Sequence, residues 1–208
     1  MPLTGNRLLD VAVFVLLLVP SVIFHEVAHG WIAARLGDPT ARRAGRLTLN
    51  PLPHIDPVGS LILPGLLALS RAGIIFGWAK PVPVNPAAFR RPVSGMALVA
   101  IGGPLTNLAL ALAAGRLVMP FVEGTAATVA VGFVLLNVVL AVFNLLPIPP
   151  LDGSRVLRLL LPPEGRRLLG LIEPYGILIL FALFFLFDEA LSFVVPLVLR
   201  VADWIIVT

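Results

Sequence analysis

Five stretches of the chain are apolar over the length that a bilayer demands, and this limits its fold more than any other feature. A spanning helix needs about 20 mostly apolar residues, because nothing in the hydrocarbon satisfies an exposed backbone group. The stretches run from about Leu8 to Ala34, Met96 to Met119, Ala126 to Leu146, Leu168 to Phe187 and Leu191 to Val207. A sixth, Val58 to Phe76, is interrupted by Gly59, Pro64, Gly65, Ser70, Arg71 and Gly73, and reads as a short span or a re-entrant hairpin. Composition points the same way: 59% of the 208 residues are hydrophobic and 12% charged, against about 45–50% and about 25% in a soluble domain. A soluble globule and a disordered chain are excluded, and with no cysteine so is a disulfide-stapled secreted domain. The first run is too long for a cleavable signal peptide. The expected fold is an all-α polytopic membrane protein with about five full transmembrane helices, a re-entrant hairpin and a short extended segment. Residues 1–208 read as one domain, with a core at about 7–160 and an accessory helical pair at about 168–207.

The net charge of +4 could suggest a nucleic-acid partner. The basic residues, however, sit in short loops between apolar runs, where they set topology, so the expected partner is the lipid bilayer and no nucleic acid. Arg42, Arg43 and Arg46 read as a headgroup-facing topology signal.

Inside the first apolar run lies His25-Glu26-Val27-Ala28-His29. Residues i and i+4 share one face of a helix, so both imidazoles can bind one zinc ion, and Glu26 can reach a water in the open coordination position. Ionisable groups within a span are costly and mark function. A catalytic zinc usually takes a third protein ligand, and without cysteine it must be His, Asp or Glu. Asp152 follows the third span at a proline-rich break, from which its carboxylate can point back into the bundle. His54, in Asn50-Pro-Leu-Pro-His-Ile-Asp56, competes with it.

At these residues the chain resembles the site-2 intramembrane metalloproteases. HEVAHG (25–30), IGGPLTN from Ile101 to Asn107 and FNLLPIPPLDG from Phe143 to Gly153 stand in the family's order, and NPLPHIDPVGS from Asn50 to Ser60 resembles a small prokaryotic subgroup without PDZ or CBS domains. The resemblance implies one Zn2+ per chain held by His25, His29 and Asp152, with Glu26 as general base. It implies a zinc-dependent endopeptidase that cuts within or next to the transmembrane helix of a membrane protein substrate. An intramembrane divalent-metal transporter and a catalytically inactive membrane-protein binder are the competing classes.

If His25, His29 and Asp152 share one ion, the ends of the first and third spans lie on one side of the membrane, and Val58 to Phe76 must dip in and return. The 15 lysines and arginines then divide 13 to 2, with only Arg7 and Arg116 on the far side. A full crossing would give 10 to 5. The positive-inside rule prefers the hairpin and makes the crowded side cytoplasmic. The N-terminus is then outside, in what reads as a prokaryotic cell (inner) membrane. The zinc lies about 15 Å above the cytoplasmic end of the first helix.

Asn144 is two turns before the Asp152 break and is the candidate catalytic donor to a developing oxyanion, an assignment the resemblance supports. Asn107 reads as a hydrogen bond between helices. His54, oriented by Asp56, is a candidate second-sphere or gating residue, beside a plain buffering role. Prolines 81, 83 and 86 forbid a helix over Gly77 to Pro86. This extended segment could pair with an unwound substrate through Trp78, Val82 and Val84, or serve as a rigid connector.

Overall fold

The computed structural model describes residues 7–62, 66, 78–186 and 192–207. Helix α1 (Arg7–Arg35) carries Asp10 in its first turn and Arg35 in its last, each complementing the helix dipole. It stops at Gly37, whose φ of 103° suits a residue without Cβ. There the Asp38 N–H bonds the Ala33 carbonyl (2.9 Å) and the Gly37 N–H bonds the Ala34 carbonyl (3.3 Å), satisfying carbonyls that a helix end leaves orphaned. A loop follows, with single turns at Thr40–Arg43, Leu52–His54 and Pro57–Ile62.

Residues 78–85 run without helical structure, as their prolines require. Helix α2 (Pro92–Ala113) opens on a proline at its first position and continues through turns at Ala114–Val118 and Met119–Phe121. After α3 (Gly124–Asn144) come α4 (Asp152–Leu160), α5 (Pro163–Ile172), α6 (Gly176–Leu186) and α7 (Val194–Val207). Among the described residues there is no β-strand.

Among the described residues, three helical stretches are long and apolar enough to cross a membrane: Leu9–Arg35, Pro92–Phe121 and Gly124–Asn144. Of Leu168 to Phe187, expected as one span, the described residues 168–186 form two helices parted by a turn at Glu173–Tyr175, where Pro174 removes a backbone donor. Within the expected fifth span the described helix is α7, 14 residues long. Most of the expected hairpin, Val58 to Phe76, lies outside the described residues.

Helix α2 is the centre of the bundle, packing on α1, α3 and α4. The α1 side chains Phe14, Leu16, Phe24 and Trp31 remain exposed, which suits a helix whose outer face meets lipid. A dry cluster of Ala111, Ala114, Val134, Val138, Val198, Ala202 and Ile205 joins the end of α2 to α3 and α7.

Candidate metal centre

Two turns near the end of α1 and the first residue of α4 meet beside α2. His25 Nε2 and His29 Nε2 each lie 3.2 Å from the same oxygen, Oδ2 of Asp152. The three residues are 6–7% exposed. One ligand atom from each falls within 4.8 Å of the others, which makes this a group that could hold a metal ion. The break at 145–151 returns the chain so sharply that a Cβ at Gly153 would overlap the carbonyls of Leu145 and Leu146. That return carries Asp152 back against α1.

The protons on the rings can be located. His29 Nδ1 lies 2.7 Å from the Val99 carbonyl, which only accepts, so Nδ1 carries the hydrogen. His25 Nδ1 lies 2.6 Å from Asn107 Oδ1. The Asn107 amide cannot be turned round, because its nitrogen donates to the Ser21 carbonyl (3.2 Å) and to Asn137 Oδ1 (2.9 Å). Asn137 in turn donates to Ser21 Oγ (3.0 Å) and to the Phe133 carbonyl (3.0 Å). With both Nδ1 atoms donating, the neutral rings aim bare Nε2 lone pairs at a carboxylate oxygen. In that form the three acceptors repel one another until a proton or a metal cation lies among them. A tetrahedral zinc with bonds of about 2.0–2.2 Å would set its ligand atoms about 3.3 Å apart, close to the spacing seen, so the donor set fits the ion.

Gly103 floors the centre: a Cβ there would come 2.5 Å from His25 Nε2 and 2.6 Å from His29 Cε1. In the sequence Gly103 stands only as part of the IGGPLTN motif. Ser21, Val99 and Asn137 were not singled out at all. The signal for Asn137 was present, since a polar amide inside a span demands a partner. Asn107 does bridge helices as expected, and it also fixes the His25 ring.

Glu26 lies outside the triad, and its Oε2 accepts the backbone N–H of Val82 (2.8 Å). His54 is buried elsewhere, on the loop, with Nε2 donating to the Thr48 carbonyl (3.0 Å). Asp56 accepts from the N–H groups of Val58 (3.0 Å) and Gly59 (2.7 Å) and so caps a turn. Asn144 ends α3 and donates to the Leu140 carbonyl within its own helix (2.9 Å). Trp78 turns its N–H to the Gly59 carbonyl (3.1 Å), and Val84 packs with Ala33, Phe89 and Val99. Asp38, unremarked in the sequence, is fully buried. Burial alone would raise its pKa, but hydrogen bonds from the Thr40 hydroxyl and from the Asn85 and Thr40 N–H groups, with the Arg43 charge, hold it below the usual carboxylate range.

Helices of spanning length around a buried His, His and Asp group, with a Glu one residue after the first His, define a class: membrane proteins built round a metallopeptidase-like centre. Residues 119–187 match Peptidase family M50. The chain is 40% identical over 180 residues to YwhC of Bacillus subtilis, named as a candidate zinc metalloprotease, covering 82% of this chain and 78% of that one. It is 36% identical over 180 residues to Rip2 of Mycolicibacterium smegmatis, likewise named, covering 83% and 68%. Rip2 of Mycobacterium tuberculosis is 34% identical over 167 residues, covering 79% and 63%. No solved structure matches. The chain belongs to peptidase family M50, the site-2 proteases, and is an integral membrane zinc metalloendopeptidase.

Proposed function

We propose that this peptidase hydrolyses a bond within or next to the transmembrane helix of a membrane protein. One Zn2+ per chain is held by His25, His29 and Asp152, and Glu26 is the general base. The convergence of three buried ligand atoms among helices of spanning length carries the reading. Family membership favours it over transport or inactive binding.

Zinc, when bound, polarises the scissile carbonyl and makes water acidic enough to lose a proton near pH 7. Glu26 takes that proton and returns it to the leaving amine. Negative charge gathers on the carbonyl oxygen, and Asn144 supplies a donor to it beside the end of α3. A helical substrate must unwind first, because its own hydrogen bonds shield the bond to be cut. The N–H groups of Trp78, Lys80 and Val82 already bond inward, so an unwound strand meets the opposite edge, at Ala79, Pro81 and Pro83. There the prolines offer carbonyls only, so the substrate's own N–H groups make the bonds.

In the same proposal the N-terminus is outside, the centre lies toward the cytoplasm of a prokaryotic cell (inner) membrane, five apolar segments cross, the fourth as two helices parted at Glu173–Tyr175, and Val58 to Phe76 re-enters. Single cysteines are clean labels because the chain has none. One at Glu123 should react from outside, and one at Arg43 or Arg91 only from the cytoplasm. Labelling of Arg91 from outside and Arg43 from inside would show that Val58 to Phe76 crosses.

The chemical test is Glu26→Gln in lipid nanodiscs with a single-span substrate. Loss of a general base costs about 10²–10⁴ in rate, while zinc and substrate should stay bound. Cleavage above about a tenth of the normal rate would remove Glu26 from the mechanism. Loss of zinc would make Glu26 a ligand instead.

A further inference from the structure

Val82 stands between two prolines, so its N–H is the only backbone donor that residues 81–83 possess. That one N–H donates to Glu26 Oε2 (2.8 Å). The segment that delivers it is anchored on both sides. Before it, the Lys80 N–H donates to the His54 carbonyl (2.9 Å) and the Lys80 carbonyl accepts from Arg46 Nη2 (2.5 Å). After it, the Asn85 N–H donates to Asp38 Oδ2 (2.6 Å). The Val82 side chain is buried against α1, where a Cβ at Gly30 would come within 2.9 Å of its Cγ1. Successive residues of an extended chain direct their backbone groups to alternate edges. Positions 78, 80 and 82 therefore bond inward, and the prolines fall on the other edge, where a donor toward Glu26 is not needed.

We infer that the Val82 backbone N–H is the positioning group for the Glu26 carboxylate, and that the loop bearing Asp38, Arg46 and His54 is the scaffold that holds it there. This rests on the reading of Glu26 as general base. A carboxylate on a helix turns about three torsions, and a charged hydrogen bond from a fixed backbone donor narrows that range. His54 then acts through its carbonyl, which accepts from Lys80, while its ring holds the loop by donating to the Thr48 carbonyl.

Two measurements test this on the zinc-loaded protein in nanodiscs. The first is hydrogen exchange at the Val82 amide, read by uniform 15N labelling. Glu26→Ala should speed exchange there by about tenfold or more, as expected for loss of a hydrogen bond to a charged group. Glu26→Gln, which keeps an acceptor, should fall between. The amides of Lys80 and Asn85 should stay protected. Unchanged protection of Val82 in Glu26→Ala overturns the inference, whatever the enzyme's activity, so an inert preparation defeats the proposed function without touching this result. The second is kinetic. Val82→Pro deletes the N–H and should lower kcat at least about tenfold more than Val82→Ala, which keeps it, with KM and zinc content unchanged. Equal rates for the two variants overturn the inference. If Val82→Pro does not fold, the exchange comparison decides alone.

Discussion

Two helix interfaces in this bundle are built alike and filled differently. Between α1 and α2, Gly103 lets the backbone approach, and the space is taken by two imidazoles. Between the end of α2 and α7, Gly115 does the same, and the space is taken by Ile205. The first continues into Ser21, Asn107 and Asn137, every polar group of which finds a partner. The second is lined by Ala111, Ala114, Val134, Val138, Val198, Ala202 and Ile205, with Arg116 donating to the Trp204 carbonyl at its rim (2.9 Å). Lipid tails are as apolar as isoleucine, so neither interface is driven by exclusion of water. Close packing holds the dry one, and hydrogen bonds orient the polar one. The comparison separates residues that serve chemistry from residues that only join helices.

The largest effect should come from Asp152→Ala. It removes one of the three proposed ligands, so most zinc and all detectable cleavage should go. Metal analysis and a substrate assay read this directly. His54→Ala should keep its zinc, since His54 bonds the loop and not the centre. The reverse pattern would mean that the ligand set is wrong.

The two glycines give a matched pair. Gly103→Ala would thrust a methyl between the ligand rings and should abolish zinc binding while the fold survives. Gly115→Ala meets the Ile205 side chain and its carbonyl, 3.0 Å away, and should cost about 1–3 kcal/mol as overpacking does. Zinc content should hold in that folded variant. Equal losses of zinc in both would erase the distinction between the interfaces.

The amide ladder predicts a graded, smaller effect. Asn107→Ala frees the His25 ring to take the other tautomer, and loss of such a partner typically costs about 10–100-fold in metal affinity. Asn137→Ala acts one bond further out and should cost less. Zinc competition with a chelator ranks them, and Asn137→Ala equal to or worse than Asn107→Ala would break the order.

The site was more legible than the fold around it. The i, i+4 spacing of His25 and His29 is local, so one helix suffices to read it. Asp152 was a candidate because its carboxylate follows a proline-rich helix break, with His54 its competitor, and the family resemblance chose between them. What escaped was non-local. Glu26 and Val82 are 56 positions apart, and one partner is a backbone N–H that no side-chain pattern encodes. Asp38 meets Asn85 across 47 positions, in a loop with no period to count. The parting of Leu168 to Phe187 was visible in Glu173-Pro174, but the surrounding apolar residues outweighed it in a reading based on length.

The smallest expected effect tests the dry interface alone. Ile205 is 1% exposed and packs against Gly115 and Val138 across the end of α2. Ile205→Val removes one methylene. In a soluble core this costs about 0.5–1.5 kcal/mol, part of it from transfer of apolar surface out of water. In a bilayer the transfer part vanishes, because the unfolded reference is also surrounded by hydrocarbon. Only lost packing remains, so the cost should fall near or below about 0.5 kcal/mol. Unfolding by detergent titration should show a small shift in midpoint, and kcat, KM and zinc content should be unchanged. A loss of kcat larger than the shift in stability would mean that α7 communicates with the centre, and that the two interfaces are one mechanical unit rather than two.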